Sequence, residues 1–333
     1  MSINMNANFL KLITHFRRQD LTNFKAEHDE LYDEAKQTGN HLKVTSHYYS
    51  VMSTVIDEYF GGNFHFVPPK YEGQQLEEAL KSLHQHIGEK LGLSEGVKCL
   101  DIGCGIGGVM LDIADSGAEL VGVTIAPNEA EIGNEKFKDL GISDRCKIVA
   151  ADCHEMPFEE NSFDVAYAIY SLKYIPKLES VMKEISRVLK PGGKLIVYDL
   201  IKTNTYDETN EDHRQTLNHL EYACGMPSLH TQKEVEESAQ SSGMTKIEQE
   251  NLEETYDNRP FHYCFSSSPF FMWLITSPVI DASIRFAETL RILPTGFEKF
   301  NRTFLSGTVQ SIVEGGQKGI LSGADILVFQ KSS

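Results

Sequence analysis

Several common signals are missing from this chain. Its six cysteines, Cys99, Cys104, Cys146, Cys153, Cys224 and Cys264, are scattered and form no C-x-x-C pair, so no zinc or dithiol motif is present. Positive charge is short: 31 Lys and Arg stand against 48 Asp and Glu, a net charge of −17. That balance argues against nucleic acid, whose phosphates demand a basic face, and against simple electrostatic adhesion to anionic lipid. No apolar run is long enough to span a bilayer, and the most apolar tract, Pro269 to Ile280, is broken by Pro278. The start lacks the basic, apolar and small-residue order of a secretory signal. There is one tryptophan, Trp273, no internal repeat and no low-complexity linker. The expectation is a cytoplasmic globular protein with reduced thiols. A peripheral contact with the endoplasmic reticulum membrane stays open, and so does a homo-oligomer.

The most informative stretch is Val97 to Gly108, VKCLDIGCGIGG. Val97 to Ile102 has the length and β-branched content of a buried strand. Asp101 sits near its end. Gly103, Gly105, Gly107 and Gly108 follow, and a helical pattern covers Val109 to Ala114. A strand that breaks into glycines lets a ligand lie against bare backbone. Gly103, Gly105 and Gly108 also satisfy G-x-G-x-x-G, so a dinucleotide site must be weighed. The second strand, Glu119 to Thr124, ends without the acid expected for NAD, which weakens that alternative. A third strand, Lys147 to Ala151, ends in Asp152-Cys153; a fourth begins at Phe163-Asp164; Leu189-Lys190-Pro191-Gly192-Gly193 ends a helix and turns into a fifth.

This ordered set resembles the class I SAM-dependent methyltransferases, where SAM is S-adenosyl-L-methionine. The resemblance implies an α/β, Rossmann-like sheet with helices on both faces. It places Asp101 and Gly103 by the methionine and ribose of SAM and Asp152 at the adenine. It adds Cys104, Gly105, Gly107, Thr124, Cys153 and Ile169 as cofactor contacts, with no metal. Residues 96–252 are then the SAM-binding core, with a polar insertion near 203–230. Residues 1–95 form a helical leader and lid, and residues 253–333 a C-terminal region that carries the last strand, Gly323 to Gln330. In the leader, Phe9, Leu12, Ile13 and Phe16 follow helical spacing, which reads as a packing helix, with a membrane-surface helix as the alternative. Asp20 to Lys36 is a charged helix ended by Gly39-Asn40. The aromatic run His47 to Phe66 predicts a helix to Phe60, then a glycine turn.

The flanks resemble the sterol methyltransferase family more specifically. The matching stretches are Phe64-His65-Phe66, Tyr206-Asp207-Glu208 through His213-Arg214, Gly225-Met226-Pro227, and the tail from Thr295 through Phe304-Leu305-Ser306-Gly307 and Gly315-Gly316-Gln317-Lys318-Gly319 to Phe329. The departures fall where side-chain (C24) methylation would hold a carbocation. The Y-E-Y-G-W-G signature of that branch reads Ile56-Asp57-Glu58-Tyr59-Phe60-Gly61 here. The family's A-I-E-A-T-C-H reads Ala168-Ile169-Tyr170-Ser171-Leu172-Lys173-Tyr174. In the insertion a family Asp becomes Cys224 and a family Glu becomes His219, while Glu221 is kept. Carboxylates and aromatic faces stabilise cations, so their loss points to another acceptor carbon. The pattern resembles the divergent nematode branch, implying methylation at ring A C4 of a 3-oxo sterol through its enol or enolate. That chemistry needs a general base and a donor at the C3 oxygen. The candidates are Asp57, His219 and Glu221 for acid–base work, with Tyr174 or His65 as donor. The alternatives are side-chain C24 methylation, methylation of another lipid or small molecule, and a sterol carrier without chemistry.

Overall fold

The apolar, β-branched runs of the middle third form the parallel strands expected of them, and the helices between them bury one stripe each. The computed structural model describes residues 9–60 and 65–333, except the side chains of residues 9, 10, 57, 59 and 60. Seven strands form one sheet: β1 (Lys98–Ile102), β2 (Glu119–Thr124), β3 (Cys146–Ala150), β4 (Phe163–Ile169), β5 (Leu189–Tyr198), β7 (Met244–Asn251) and β9 (Asp325–Lys331). Their order is β3-β2-β1-β4-β5-β9-β7. The first five are parallel, and β9 runs antiparallel between β5 and β7. The two-residue strands β6 (Ile201–Lys202) and β8 (Leu321–Ser322) form a separate ribbon.

The strand order reverses at β1, so the chain leaves β1 toward β2 and β4 on opposite sides, opening a crevice at the carboxyl edge. Leu100, Ala166, Val197 and Leu327 fill one face of the sheet with the stripe of α7 (Leu178–Val188), where Val181, Met182 and Ile185 are fully buried. The other face is covered by α4 (Leu76–Leu91), α5 (Gly108–Ile113) and α6 (Pro127–Asp139). The Leu-Lys-Pro-Gly-Gly turn is drawn into β5 rather than preceding it. The ladder accommodates it by a register shift between Phe163 and Val165, where Pro is tolerated because a bulge leaves donors unpaired.

The leader folds into α1 (Phe9–Arg17), α2 (Leu21–Thr38) and α3 (Leu42–Phe60). Asp20 caps α2 by accepting from the Asn23 N–H at 3.0 Å, and Gly39, at φ 73°, ends it. Next in the carboxyl half come α8 (Glu211–Ala223) and α9 (Gln232–Ser241), followed by the apolar excursion that ends in the helix Ser306–Gln317. The packing reading of α1 holds against the membrane-surface one. Leu12 and Phe16 are buried, and the Phe16 ring lies 5.5 Å from Phe297 and 5.4 Å from Phe300. The glycine turn expected at Gly61-Gly62 lies outside the described residues. Because Phe16 joins the leader to the carboxyl-terminal excursion, Phe16→Ala is expected to lower unfolding free energy by about 3–5 kcal/mol in denaturant titration. An unchanged midpoint would show that α1 is not part of the core.

Candidate active site

β1 delivers Asp101 to the carboxyl edge, and the turn after it is tied to the end of β2. The N–H groups of Gly103 and Cys104 both donate to the Val123 carbonyl, at 2.9 and 3.0 Å. At Gly103 (φ +75°) an added Cβ would stand 2.4 Å from Ser171 Cβ, and at Gly107 (φ +80°) 2.7 Å from Phe137 Cζ. At Gly105 (φ +54°) it would meet nothing within 4 Å. The turn is therefore closed behind and open in front, a cradle of bare backbone. Cys104 packs its sulfur against β2, 2.5 Å from where a Cβ on Gly122 would stand.

Asp101 is buried, and the parallel register sets it beside Tyr167, whose hydroxyl donates to Oδ2 at 2.9 Å. Burial lifts its carboxyl to about 7, with the Tyr167 hydrogen bond pulling the other way. A buried carboxylate with a single donor suits a cationic partner. Thr124 donates to Glu129 Oε2 at 2.5 Å. An acid does reach the end of β2, therefore, but from the first turn of α6 rather than from the strand. Glu129 is thus a site residue that the strand-end pattern missed. Asp152 is exposed and accepts from the N–H of His154 at 2.9 Å. Partial burial would raise its carboxyl, but the His154 hydrogen bonds outweigh that and hold it low. Burial pushes the neighbouring Cys153 thiol up to about 12. Ligand atoms of Asp152, Cys153 and His154 lie within 4.8 Å of one another. Ile169 closes the floor at the end of β4. The cradle, the under-donated Asp101 and the Thr124–Glu129 pair together fit the ammonium and ribose hydroxyls of SAM.

The crossover after β4 forms the opposite wall. Tyr170 takes φ +53°, uncommon for a non-glycine residue. It is held there by its N–H to Tyr198 O at 2.8 Å and its hydroxyl to Gly323 O at 3.1 Å. Ser171 donates to Ile102 O at 2.6 Å. Lys173 is buried with Nζ 3.6 Å from Asp199 Oδ1, and 4.4 and 4.8 Å from the ring centroids of Tyr170 and Tyr174. Burial lowers its ammonium pKa, and Asp199 offsets part of that. The Tyr174 and Tyr49 hydroxyls share a 2.7 Å hydrogen bond. Both phenols are pushed up, chiefly by burial; at Tyr49 the charges of Glu129 and Asp199 add to it. Tyr49 therefore feels both walls. Burial pushes Cys224 up to about 11, and its sulfur lies 3.8 Å from the Tyr48 hydroxyl.

Of the acceptor-side candidates, the structure brings Tyr174 and His65 to this wall; the His65 ring lies 5.8 Å from that of Tyr170. It does not bring His219 or Glu221 there. His219 faces Ser311 Oγ at 2.9 Å and lines a surface cleft between α2 and α8. Glu221 is buried in an ion pair with Lys202 at 3.1 Å and accepts from the Leu229 N–H. Both positions have one cause: α8 packs on the helix Ser306–Gln317. Asp57 lies on α3, and its side chain lies outside the described residues. Tyr49 was hidden in the aromatic run of α3, where core packing and a site contact look alike.

With this geometry in place, comparison with known proteins is informative. The methyltransferase domain family matches residues 100–197. The chain is 78% identical to a sterol 4-C-methyltransferase of Caenorhabditis elegans, over 99% of both chains. It is 30% identical to a cycloartenol-C-24-methyltransferase of Oryza sativa, over 90% of this chain and 88% of that one. It is 29% identical to a sterol 24-C-methyltransferase of Candida albicans, over 90% and 82%. Solved structures share the fold. A geranyl diphosphate C-methyltransferase of Streptomyces coelicolor, in complex with S-adenosyl-L-homocysteine, superposes with a TM-score of 0.58 at 15% identity, covering 81% of this chain and 88% of that one. A cyclopropane synthase of Mycobacterium tuberculosis gives 0.60 at 18%, covering 81% and 90%.

The raised Asp101 carboxyl gives binding a pH signature. The folded protein favours its neutral form, so its contribution to stability is full at low pH and is lost as the pH rises through about 7. A cation bound beside it favours the ionised form. SAM binding is expected to release a proton below about pH 7 and to tighten as the pH rises toward 7, levelling off above it, read by calorimetry in buffers of different ionisation enthalpy. Asp101→Asn should abolish the proton release and weaken binding by about 1–3 kcal/mol. Proton release that survives Asp101→Asn would assign it elsewhere. Gly105→Val should abolish binding, because the branched Cβ enters the open side of the cradle.

Proposed function

The chain belongs to the sterol methyltransferase family, and from that premise we propose that it transfers a methyl group from SAM to C4 in ring A of a 3-oxo sterol. When bound, the SAM sulfonium supplies an electrophilic methyl group and leaves as S-adenosyl-L-homocysteine. Asp101 holds the ammonium and the Thr124–Glu129 pair the ribose. The observation that carries the choice of acceptor is Lys173. At the family's acid position stands Tyr170, a neutral phenol hydrogen-bonded to Gly323, and over its face lies the buried ammonium of Lys173. Such a wall opposes a carbocation and favours negative charge developing on an oxygen. The raised phenols of Tyr49 and Tyr174 stay protonated; one donates to the other across their 2.7 Å hydrogen bond and the second donates to that oxygen, and the C4 proton needs a base nearby. The 78% identity to a 4-C-methyltransferase supports the same choice.

In this reading the sterol is drawn from a bilayer. No described helix is long and apolar enough to cross a membrane, but Pro269–Thr276 and Pro278–Thr289 form an apolar pair bent by 57°. They expose Phe270 (61%), Trp273 (50%), Val279 (66%) and Phe286 (65%). Neither helix has a buried residue. Exposed apolar side chains gathered on two successive helices mark an interaction surface; the Phe270 and Trp273 rings stack at 6.0 Å between centroids, and aromatic rings favour the membrane interface.

Mass spectrometry after incubation with SAM should find a methyl group at C4 of a 3-oxo sterol with a saturated side chain. Incorporation at C24, or dependence on a side-chain alkene, would overturn the ring A reading. Tyr174→Phe should lower kcat by about 10²-fold with SAM affinity unchanged. Because Trp273 is the single tryptophan, its emission should shift to the blue on adding neutral, sterol-bearing phosphatidylcholine vesicles. An unshifted spectrum would remove the membrane contact.

A further inference from the structure

Three side chains that are far apart in sequence form a chain of hydrogen bonds behind the acceptor wall. His65 Nε2 lies 2.6 Å from His84 Nε2, and His84 Nδ1 lies 2.7 Å from Asp112 Oδ2. The two rings are 4.8 Å apart between centroids and inclined at 53°. His84 is on the buried stripe of α4, with Leu80, Leu83 and Ile87. Asp112 is on α5, the helix opened by the glycine turn. His65 is held at its wall by the next residue, whose carbonyl accepts from the Tyr198 hydroxyl at 2.8 Å. Exposure falls along the chain: the Asp112 side chain is 26% exposed, that of His84 is not exposed at all, and His65 is 4% exposed.

The donors along this chain fix a tautomer. An ionised Asp112 only accepts, so His84 Nδ1 carries the hydrogen. A neutral His84 then accepts at Nε2, and His65 donates to it through its own Nε2–H. Nδ1 of His65 is left as a bare lone pair, and among the described residues it has no hydrogen-bond partner. Burial disfavours the imidazolium, and the nearby Lys173 ammonium adds to it, so His65 rests in its basic form. This geometry makes His65 a base rather than the oxygen donor expected from sequence.

We propose that His65 Nδ1 is the general base that takes the C4 proton, and that His84 and Asp112 are positioning residues that fix its tautomer and pass the proton outward. The inference rests on the ring A reading above. The C4–H bond breaks to Nδ1, and its electron pair stays on the sterol as the enolate that forms the new C4–methyl bond. His65 then gives its Nε2 proton to His84 Nε2, and His84 gives its Nδ1 proton through Asp112 to water. Once product leaves, the C4 proton passes from His65 Nδ1 to water as the relay takes one proton back the other way, which restores the starting tautomers. One proton leaves for each methyl group transferred.

The test uses full-length protein labelled with 15N-histidine, assigned by the signal lost in His65→Gln. Ligand-free wild type should show His65 as the Nε2–H tautomer, and Asp112→Asn should change that signal. With S-adenosyl-L-homocysteine in place of SAM, wild type in D2O should exchange deuterium into C4 of cholestan-3-one; His65→Gln should lower that exchange and kcat by about 10²-fold or more. His84→Gln and Asp112→Asn should lower kcat at least about tenfold with the sterol KM within about twofold, and Asp112→Glu should recover most of the loss. Wild type that neither methylates nor exchanges any 3-oxo sterol overturns the ring A reading. Wild type that methylates ring A while these variants match it, or a His65 signal from the Nδ1–H tautomer, overturns the relay alone.

Discussion

The buried Lys173–Asp199 pair is the constraint on which the site depends. Both side chains are withdrawn from water, and a buried pair is stable only where further hydrogen bonds satisfy it. Here Asp199 also accepts from the N–H of Lys173 at 3.0 Å and of Leu200 at 2.8 Å, and Lys173 donates to the Tyr170 carbonyl. The crossover is thereby locked to the end of β5. That lock holds Tyr170 at its positive φ, seats Ser171 where only a glycine fits at position 103, and aims Tyr174 at Tyr49. Loss of one partner would leave the other charged and buried, at a cost of about 3–5 kcal/mol.

The same pair sets the electrostatic character of the acceptor side. Phenols that burial keeps protonated stand in front of an ammonium, while Glu221 is engaged by Lys202 beneath α8. A reaction that gathers negative charge on an oxygen and sheds a proton fits such surroundings. A reaction that leaves positive charge on a sterol side chain does not. The cofactor side differs in kind: there bare backbone and an under-donated carboxylate await a cation.

Much of this was legible in the sequence because it depends on local order. The five parallel strands, the cap at Asp20, the stop at Gly39 and the glycine turn all follow from periodicity and backbone freedom within a few residues. Asp101, Gly103 and Gly105 were legible for the same reason, since a strand end and its turn are contiguous. The acceptor side was legible only in part. The position of Tyr174 was legible because the crossover lies on the carboxyl edge of the sheet in any such fold. His219 and Glu221 were misplaced because the insertion's docking depends on the distant helix Ser306–Gln317.

The sequence by itself determined the sheet, the cradle for the cofactor and the family, each encoded in a short run whose backbone geometry its own residues dictate. Only the tertiary structure decided which polar groups meet. Glu129 reaches Thr124 because α6 turns back over β2, and Tyr49 reaches Tyr174 because α3 lies across the crossover. His65, His84 and Asp112 come from an extended segment and two helices, 19 and 28 residues apart. Hydrogen bonds have a reach of about 3 Å, and contacts that short, made across such separations, are fixed by how the layers pack rather than by any pattern along the chain.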